Sequence, residues 1–397
     1  MTIQINTNSG SISEFSSATV RRSLDSLSGS FDVTIRPQNL NLNSGKPFPF
    51  RVGDFCQIYV DGVVQMTGYI EAVNVDSSVG AHSLTFSGRD MTADVIDSNV
   101  GQWAAFTGGS LLDLIGKTLL DAYIYDVGLV VNSDLRADLI ANPFTEGESA
   151  AANIGDTVFN YLESYARKRQ VLMTTNGYGD IELVRTYTVA GDNERSTNAI
   201  TGGHNIKSSN LRLDASRRFH YYRVSSVDNP TADFTVRSGN EIQPLVEDTG
   251  AVGRVHEVTD TTVRPSRSWH IAAEKSATPK DCLDRAVWER NLALGRYLIY
   301  TATVYGHSDS GGEPWKLNTL YPITDDACGM KGEFLLSGIE WGYSVDAGTT
   351  SSLTFVVPEA YANASKKAPK AESRADALQA DFEEWVRAHP DAYNKTR

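Results

Sequence analysis

Cysteine is scarce: Cys56, Cys282 and Cys328 lie far apart, are odd in number and never form a CxxC pair. That pattern suggests neither a disulfide framework nor a thiolate zinc site, and it fits synthesis in a reducing place. Basic charge is also short, with 36 Lys plus Arg against 49 Asp plus Glu and a net charge of -13. A chain so charged repels a phosphate backbone, so neither general nor sequence-specific nucleic-acid binding is expected. No stretch approaches the roughly 18 uncharged apolar residues of a membrane span, and no direct membrane insertion is expected. Met1 to Gly10 carry no basic n-region and no apolar h-region, which predicts no secretory signal peptide and a chain made in the cytoplasm. Proline is sparse too, at 13 against 32 Gly; with 41% hydrophobic and 21% charged residues the chain can bury a core, which excludes global disorder. At 397 residues the length favours two or three domains.

Short strands dominate the first hundred residues. Phe31 to Ile35 alternates, Phe55 to Val60 runs into the turn Asp61-Gly62, and Gly68 to Val75 and Ser83 to Gly88 follow. Strands separated by Gly, Asp and Ser turns point to a small barrel over residues 1–100. Beyond Asp97 the pattern turns helical: Leu111, Leu112, Leu114, Ile115, Leu119 and Leu120 recur at helical spacing from Ser110, and Thr157 to Lys168 repeats this with Val158, Tyr161, Leu162 and Tyr165. A hairpin, Gln170 to Thr175 and Asp180 to Val184 around Asn176-Gly177-Tyr178-Gly179, closes a mixed α+β domain over residues 101–203. A second barrel is expected from 204–229 and 298–360, interrupted by an α+β insertion, 230–297, with a helix near 279–297. The fold class is therefore mainly β with α+β insertions: two similar small β-barrel domains plus two mixed α/β domains.

The duplication rests on an internal comparison. A slide of 269 positions lays Ile70-Glu71 on Ile339-Glu340 and Ser83-Leu-Thr-Phe86 on Ser352-Leu-Thr-Phe355. In both copies a strand with a nearby Gly leads through a polar turn into Ser-Leu-Thr-Phe. Gly68, Gly88 and Gly338 sit at strand edges or turns where a side chain would clash or positive φ is needed. Arg89 and Asp90 are candidates to pair or to cap the turn from Thr92 to Asp97, a structural role.

Enzymatic signals are weak. Asp248-Thr-Gly250 and Asp309-Ser-Gly311 resemble the two loops of an aspartic protease, whose dyad shares one proton across a pseudo-twofold axis. Both lie in the C-terminal half, and each Asp follows a polar residue, so surface turns are the better reading. Gly116-Lys117-Thr118 lacks the Gly that a phosphate loop needs five residues earlier, where Leu111 stands. The seven His include no HExxH or HxH pair, and neither a Gly-x-Ser-x-Gly elbow nor a papain-like Cys context occurs. No catalytic residue, metal site or cofactor is expected.

The C-terminal segment 361–397 reads as an Ala-, Ser- and Lys-rich linker followed by an amphipathic helix. Ser373 opens that helix, Leu378, Phe382, Trp385 and Val386 form one apolar stripe, and Pro390 stops it. A lone helix of about 16 residues is marginal in water, so the stripe is expected to dock on this chain or on a partner.

Several ordered stretches resemble the baseplate hub proteins of contractile phage tails, the Mu-like tail protein group that shares a fold with the T-even hub. They are Arg51-Val-Gly-Asp54, Gly68-Tyr-Ile-Glu71, Ser87-Gly-Arg-Asp90 through Asp97, Gly155 to Phe159 with Ala166 to Leu172, and Gly203 to Ile206 with Arg217 to Val224. Arg285 to Arg290, Trp315 to Asn318 and Leu353 to Pro358 follow in the same order. The resemblance implies a hub-type architecture in which two similar barrels per chain, in a homotrimer, give six similar units. It implies a structural protein of the virion, assembled in the host cytoplasm, joining a six-fold tail tube to a three-fold spike. Implied partners are itself, the tail tube or a tube-initiator protein, the central spike and other baseplate proteins. A hub or spike component of a phage-derived injection machine, such as a tail-like bacteriocin or a secretion spike, is the alternative.

Overall fold

The structure is a computed structural model and describes residues 3–8, 10–35, 50–78, 81–101, 106–144, 150–185, 194–225, 255–273 and 279–361. The N-terminal strands are β1 (Ile3–Thr7), β2 (Gly10–Ile12), β3 (Ser17–Ser23), β4 (Ser30–Ile35), β5 (Phe55–Val60), β6 (Val63–Ser78) and β7 (Ala81–Asp90). A mixed segment follows: α1 (Ala93–Asp97), α2 (Leu111–Asp121), β8 (Leu129–Val131), α3 (Ser133–Ala141), α4 (Val158–Lys168), β9 (Leu172–Thr175) and β10 (Ile181–Val184). Then come β11 (Ile200–Thr201), β12 (Ile206–Leu213), β13 (Tyr221–Ser225), β14 (Val255–Thr259), β15 (Ser268–Ala272) and α5 (Pro279–Tyr297). The last strands are β16 (Leu298–Tyr305), β17 (Leu320–Asp325), β18 (Met330–Ser344) and β19 (Gly348–Val356), and a turn of 3-10 helix at Pro358–Tyr361 follows.

One sheet runs β12-β16-β19-β18-β3-β4-β7-β6-β5-β1-β2, with β17 and then β11 branching from β18. Within it one five-stranded path occurs twice, β3-β4-β7-β6-β5 and β12-β16-β19-β18-β17. All five strands are antiparallel to their neighbours in both copies. The mainly β class and the duplication are thus present, while no ladder closes either unit into a ring among the described residues.

The bulges fix how the copies correspond. β6 carries an extra residue, Glu71, against β7, and β18 carries Ser337 against β19, 266 positions later. On that correspondence the 269-residue slide is out by three in β6 and β18 and by two in β7 and β19. The Ser-Leu-Thr-Phe match found the right strands but not their register, because four residues with a two-residue pleat match equally well at neighbouring registers.

Alternation builds the shared core: Phe31, Val33 and Ile35 of β4 face Ile58, Ile70 and Phe86 inside, and Tyr300, Phe334, Trp341 and Phe355 do the same in the second unit. The mixed segment has its own core around Leu114, Leu119, Tyr161, Leu162 and Phe144, joined to the first unit by Leu27 and Met91. Ser110 starts α2 with a reciprocal capping box, its Oγ accepting from Asp113 N at 3.3 Å while Ser110 N donates to Asp113 Oδ2 at 2.8 Å. The antiparallel hairpin of β9 and β10 turns at Asn176 to Asp180.

The expected run 204–229 divides. β12 belongs to the second unit, but β13 pairs with β14 and β15 in a separate three-stranded sheet under α5. A turn of 3-10 helix at Ala215–Arg217, with Asp214 accepting from Ser216 N at 2.9 Å, redirects the chain between them. Conversely, β11 lies before residue 204 yet pairs with β17. The small core of the insertion, Val224, Ala273, Cys282 and Ala286, is supplemented by a buried ion pair, Arg218 to Asp260 at 2.7 Å. Breaking such a pair strands a charge, so it holds β13 against the loop after β14.

Candidate assembly interface

The two units meet along β3 and β18, where Val20 faces Trp341 and Arg21 faces Glu340 in an antiparallel ladder from Ser17 to Ser23. Val20 and Trp341 are wholly buried. On the opposite face Arg21 reaches Asp32 at 2.6 Å and Glu340 at 2.8 Å, so one cation staples three strands. Such half-exposed pairs contribute about 0 to 1 kcal/mol each, so the seam rests on its backbone ladder and the Val20–Trp341 contact. The bulged Ser337 also takes part: its carbonyl accepts from Leu24 N at 2.8 Å.

Arg22 points toward the mixed segment. Its Nη2 donates to the Thr175 carbonyl at 2.6 Å and its Nη1 to Gln65 Oε1 at 3.3 Å. Burial lowers the pKa of this guanidinium, against the pull of the Glu182 and Asp90 carboxylates. Burial likewise raises the Glu182 carboxyl, with Arg22 drawing it back. A second tie between the units lies at the β5–β6 turn, where Ser308 Oγ donates to Asp61 Oδ2 at 2.8 Å. Beside it the buried His307 bonds the Gly342 carbonyl through Nε2 at 2.9 Å, and its Nδ1 lies 3.9 Å from Asp61 Oδ1. Burial lowers the His307 pKa, opposed by the Gly342 carbonyl and by Asp61.

The turn candidates cluster at the β6–β7 pinch. A Cβ on Gly68 would stand 2.0 Å from the Arg89 carbonyl oxygen, and one on Gly88 would stand 2.0 Å from that of Tyr69 and 2.8 Å from the Phe31 ring. Neither has positive φ; close approach of two backbones is what requires glycine there. Gly338 differs, because its nearest neighbour would be Thr354 Cβ at an ordinary 3.4 Å. Arg89 pairs with Glu71 at 2.7 Å and with Asp97, not with Asp90. Asp90 is buried and accepts from Gly29 N at 2.7 Å, Ser28 Oγ at 3.0 Å and Thr92 N at 3.1 Å, which ties the β3–β4 turn to the start of α1. Burial raises its pKa while those bonds lower it.

The enzyme-like motifs resolve into ordinary structure where they are described. Asp309 accepts from Gly311 N at 2.9 Å and Asn198 Nδ2 at 2.6 Å, which is turn chemistry, and Asp248 lies outside the described residues. Gly116 and Lys117 are inside α2, with Lys117 paired to Asp121 at 2.6 Å. Burial pushes the Cys56 thiol up to about 12, far from a reactive thiolate. Among the described residues no cluster of His, Cys, Asp and Glu could hold a metal, and no helix is long and apolar enough to cross a membrane. Leu378, Phe382, Trp385 and Val386 lie outside the described residues. Sequence reading missed β3 and with it Arg21 and Arg22; the one available signal was the alternation of Ala18 and Val20.

Comparison with known proteins meets this geometry at both ends. The model of the Mu phage baseplate assembly protein GpP-like N-terminal domain matches residues 2–90, and that of the GpP fourth domain matches residues 278–364. These segments hold four strands or more of each five-stranded path. The baseplate hub protein gp44 of Escherichia phage Mu is 26% identical over 398 residues, covering 95% of this chain and 94% of that protein. The 43 kDa tail protein of prophage MuSo2 from Shewanella oneidensis shares the fold at TM-score 0.71 and 22% identity, over 90% of this chain and 99% of that one. A tail protein from Neisseria meningitidis does so at TM-score 0.68 and 16% identity, over 90% and 96%. With the first- and fourth-domain models of that assembly protein matching its two ends, which meet along one seam, the chain is similar to the baseplate hub proteins of Mu-like phage tails.

Proposed function

We propose that three copies of the chain form a ring of six similar five-stranded units, joining a six-fold tail tube on one face to a three-fold spike on the other. The observation that carries this is the twofold recurrence of one strand path in a single chain. A closed cyclic trimer of such chains presents six near-equivalent lobes without a second gene, which is what a six-fold to three-fold junction needs. The role is structural, and the sequence-level absence of a persuasive active site supports that reading.

Light scattering under assembly conditions should give about three times 43.3 kDa. A stable dimer in the assembled particle would overturn the proposal. The segment after Ala362 is assigned to attachment: the stripe Leu378, Phe382, Trp385 and Val386 clasps a neighbour, and the ring itself does not need it. Deletion of that segment should leave ring formation intact and weaken attachment to spike or tube. Complete infectious particles at normal yield from the truncated chain would sink the clasp.

A further inference from the structure

We propose that the outer half of β6, Ala72 to Ser78, receives β12 of a second copy in the same antiparallel register that β18 and β3 use inside one chain. This deepens the ring reading above and rests on it. β18 spends a single edge on two neighbours: Met330 to Leu335 pairs with β17, and Gly338 to Ser344 pairs with β3. β6 is its counterpart, and Val63 to Tyr69 pairs there with β5. Ile70 is taken by backbone bonds to Gly53 and Asp54. Past the Glu71 bulge, that same edge of β6 has no strand against it among the described residues. β3 is bonded on both sides, by β4 and β18, whereas its counterpart β12 is bonded, among the described residues, by β16 alone and ends the sheet. Each unit therefore has one accepting edge and one donating edge. The chain consumes one such pair internally and presents the other.

The register transfers residue by residue. Ile70 precedes one bulge and faces Gly88, which faces Phe31, which faces Val20. Leu336 precedes the other bulge and faces Phe355, which faces Tyr300, which faces Leu211. Leu211 thus stands where Val20 stands, and Val75 where Trp341 stands. The seam pairs Trp341 with Val20 and Glu340 with Arg21. The contact between copies then pairs Val75 with Leu211, Asn74 with Arg212, Val73 with Leu213 and Asp76 with Asn210.

The side chains fit this register. Apolar residues meet apolar ones, and Arg212, the counterpart of Arg21, has Asp76 on the diagonal. A slip of one residue would set Val75 against Arg212 or Asn210 and turn each apolar side chain to the wrong face. Val75 is 47% exposed in the single chain while Trp341 is 0% exposed, which is the difference expected between an open edge and a filled one. A bare edge bearing valines is a liability that natural sheets cover. The contact is head-to-tail, so repetition closes a ring or extends a filament, and three copies close the ring proposed above.

The test is cross-linking by mixing. Val75→Cys and Leu211→Cys are made in separate full-length chains, each also carrying Cys328→Ser, and the two are mixed and mildly oxidised. A two-chain band should appear in the mixture and in neither chain alone, and a chain with both substitutions should give covalent species up to three chains. Trimers by light scattering that give no cross-link, or that cross-link through Val75→Cys with Leu213→Cys instead, overturn the register while leaving the ring reading intact. Absence of any trimer brings down the ring reading and this pairing together. As a second arm, Val75→Lys should leave the melting of the free chain unchanged and weaken assembly by roughly tenfold or more, since a lysine would face the partner's apolar strand. Unimpaired assembly of that variant counts equally against the proposal.

Discussion

The two five-stranded units share a path but fill it differently. At the pinch of the first unit Gly68 and Gly88 let backbones close in and let the Phe31 ring lie across the sheet. The corresponding positions of the second unit hold Phe334 and Phe355, both wholly buried, with Tyr300 6.3 Å from Phe355 by ring centroid. One unit makes its core by approach of backbones and the other by bulk of side chains. Strand order and bulge position therefore constrain the fold more tightly than any particular core residue, in keeping with the tolerance of cores to volume-conserving exchange.

Four predictions bear on that contrast, starting with the largest effect. Phe355→Ala should leave a cavity beside Tyr300 and Tyr321 and cost about 3 to 5 kcal/mol in denaturant unfolding; a loss below about 1 kcal/mol would mean that the second unit repacks. Gly88→Val should cost about 3 kcal/mol, because the obstruction is a carbonyl oxygen and cannot swing aside. Gly338→Ala, with only an ordinary contact at its Cβ, should stay under about 1 kcal/mol, and equal losses at the two glycines would erase the distinction.

The third prediction concerns the tie between the units. Burial holds His307 below its ordinary value of 6.5, so near and below that pH the unfolded chain binds a proton more readily than the folded one. Its stabilising contribution is present above about pH 6.5 and is lost as pH falls below it. Unfolding midpoints at pH 7.5 and 5.5 should show the drop, and His307→Gln should flatten it; an unchanged slope in the variant would assign the drop to other groups. The smallest effect is expected at Arg21→Ala, about 0.5 to 1 kcal/mol and shrinking with added salt, since both its partners are half exposed. A loss of 3 kcal/mol would show that the seam depends on this cation instead of its ladder.

Local features were legible in the sequence because their causes are local. The turn Asp61-Gly62 adopts positive φ at both residues, as the Asp-Gly pair foretells for a tight hairpin. Ser110 and Thr157 cap α2 and α4 where the apolar periodicity begins. At Gly68, Gly88 and Gly338 the sequence offered a clash or a positive φ without choosing between them, and it did not say which backbone comes close. β3 was missed because Arg21 and Arg22 interrupt its alternation, and what those arginines touch lies far along the chain. The repeat was legible in the Ser-Leu-Thr-Phe match, yet its register was not.

The sequence by itself determined most of the segments that extend, where α2 and α4 start, which side chains of those segments turn inward, and that the chain is built on a repeat. Tertiary structure alone decided which strand lies beside which. Arg21 and Glu340 are 319 positions apart, and Asp61 and Ser308 are 247 apart. Alternation with a period of two states which face a residue presents and nothing about the neighbour it presents it to. That neighbour is chosen by which ladder satisfies its backbone groups while burying its apolar face, a condition on the whole sheet and not on any one strand.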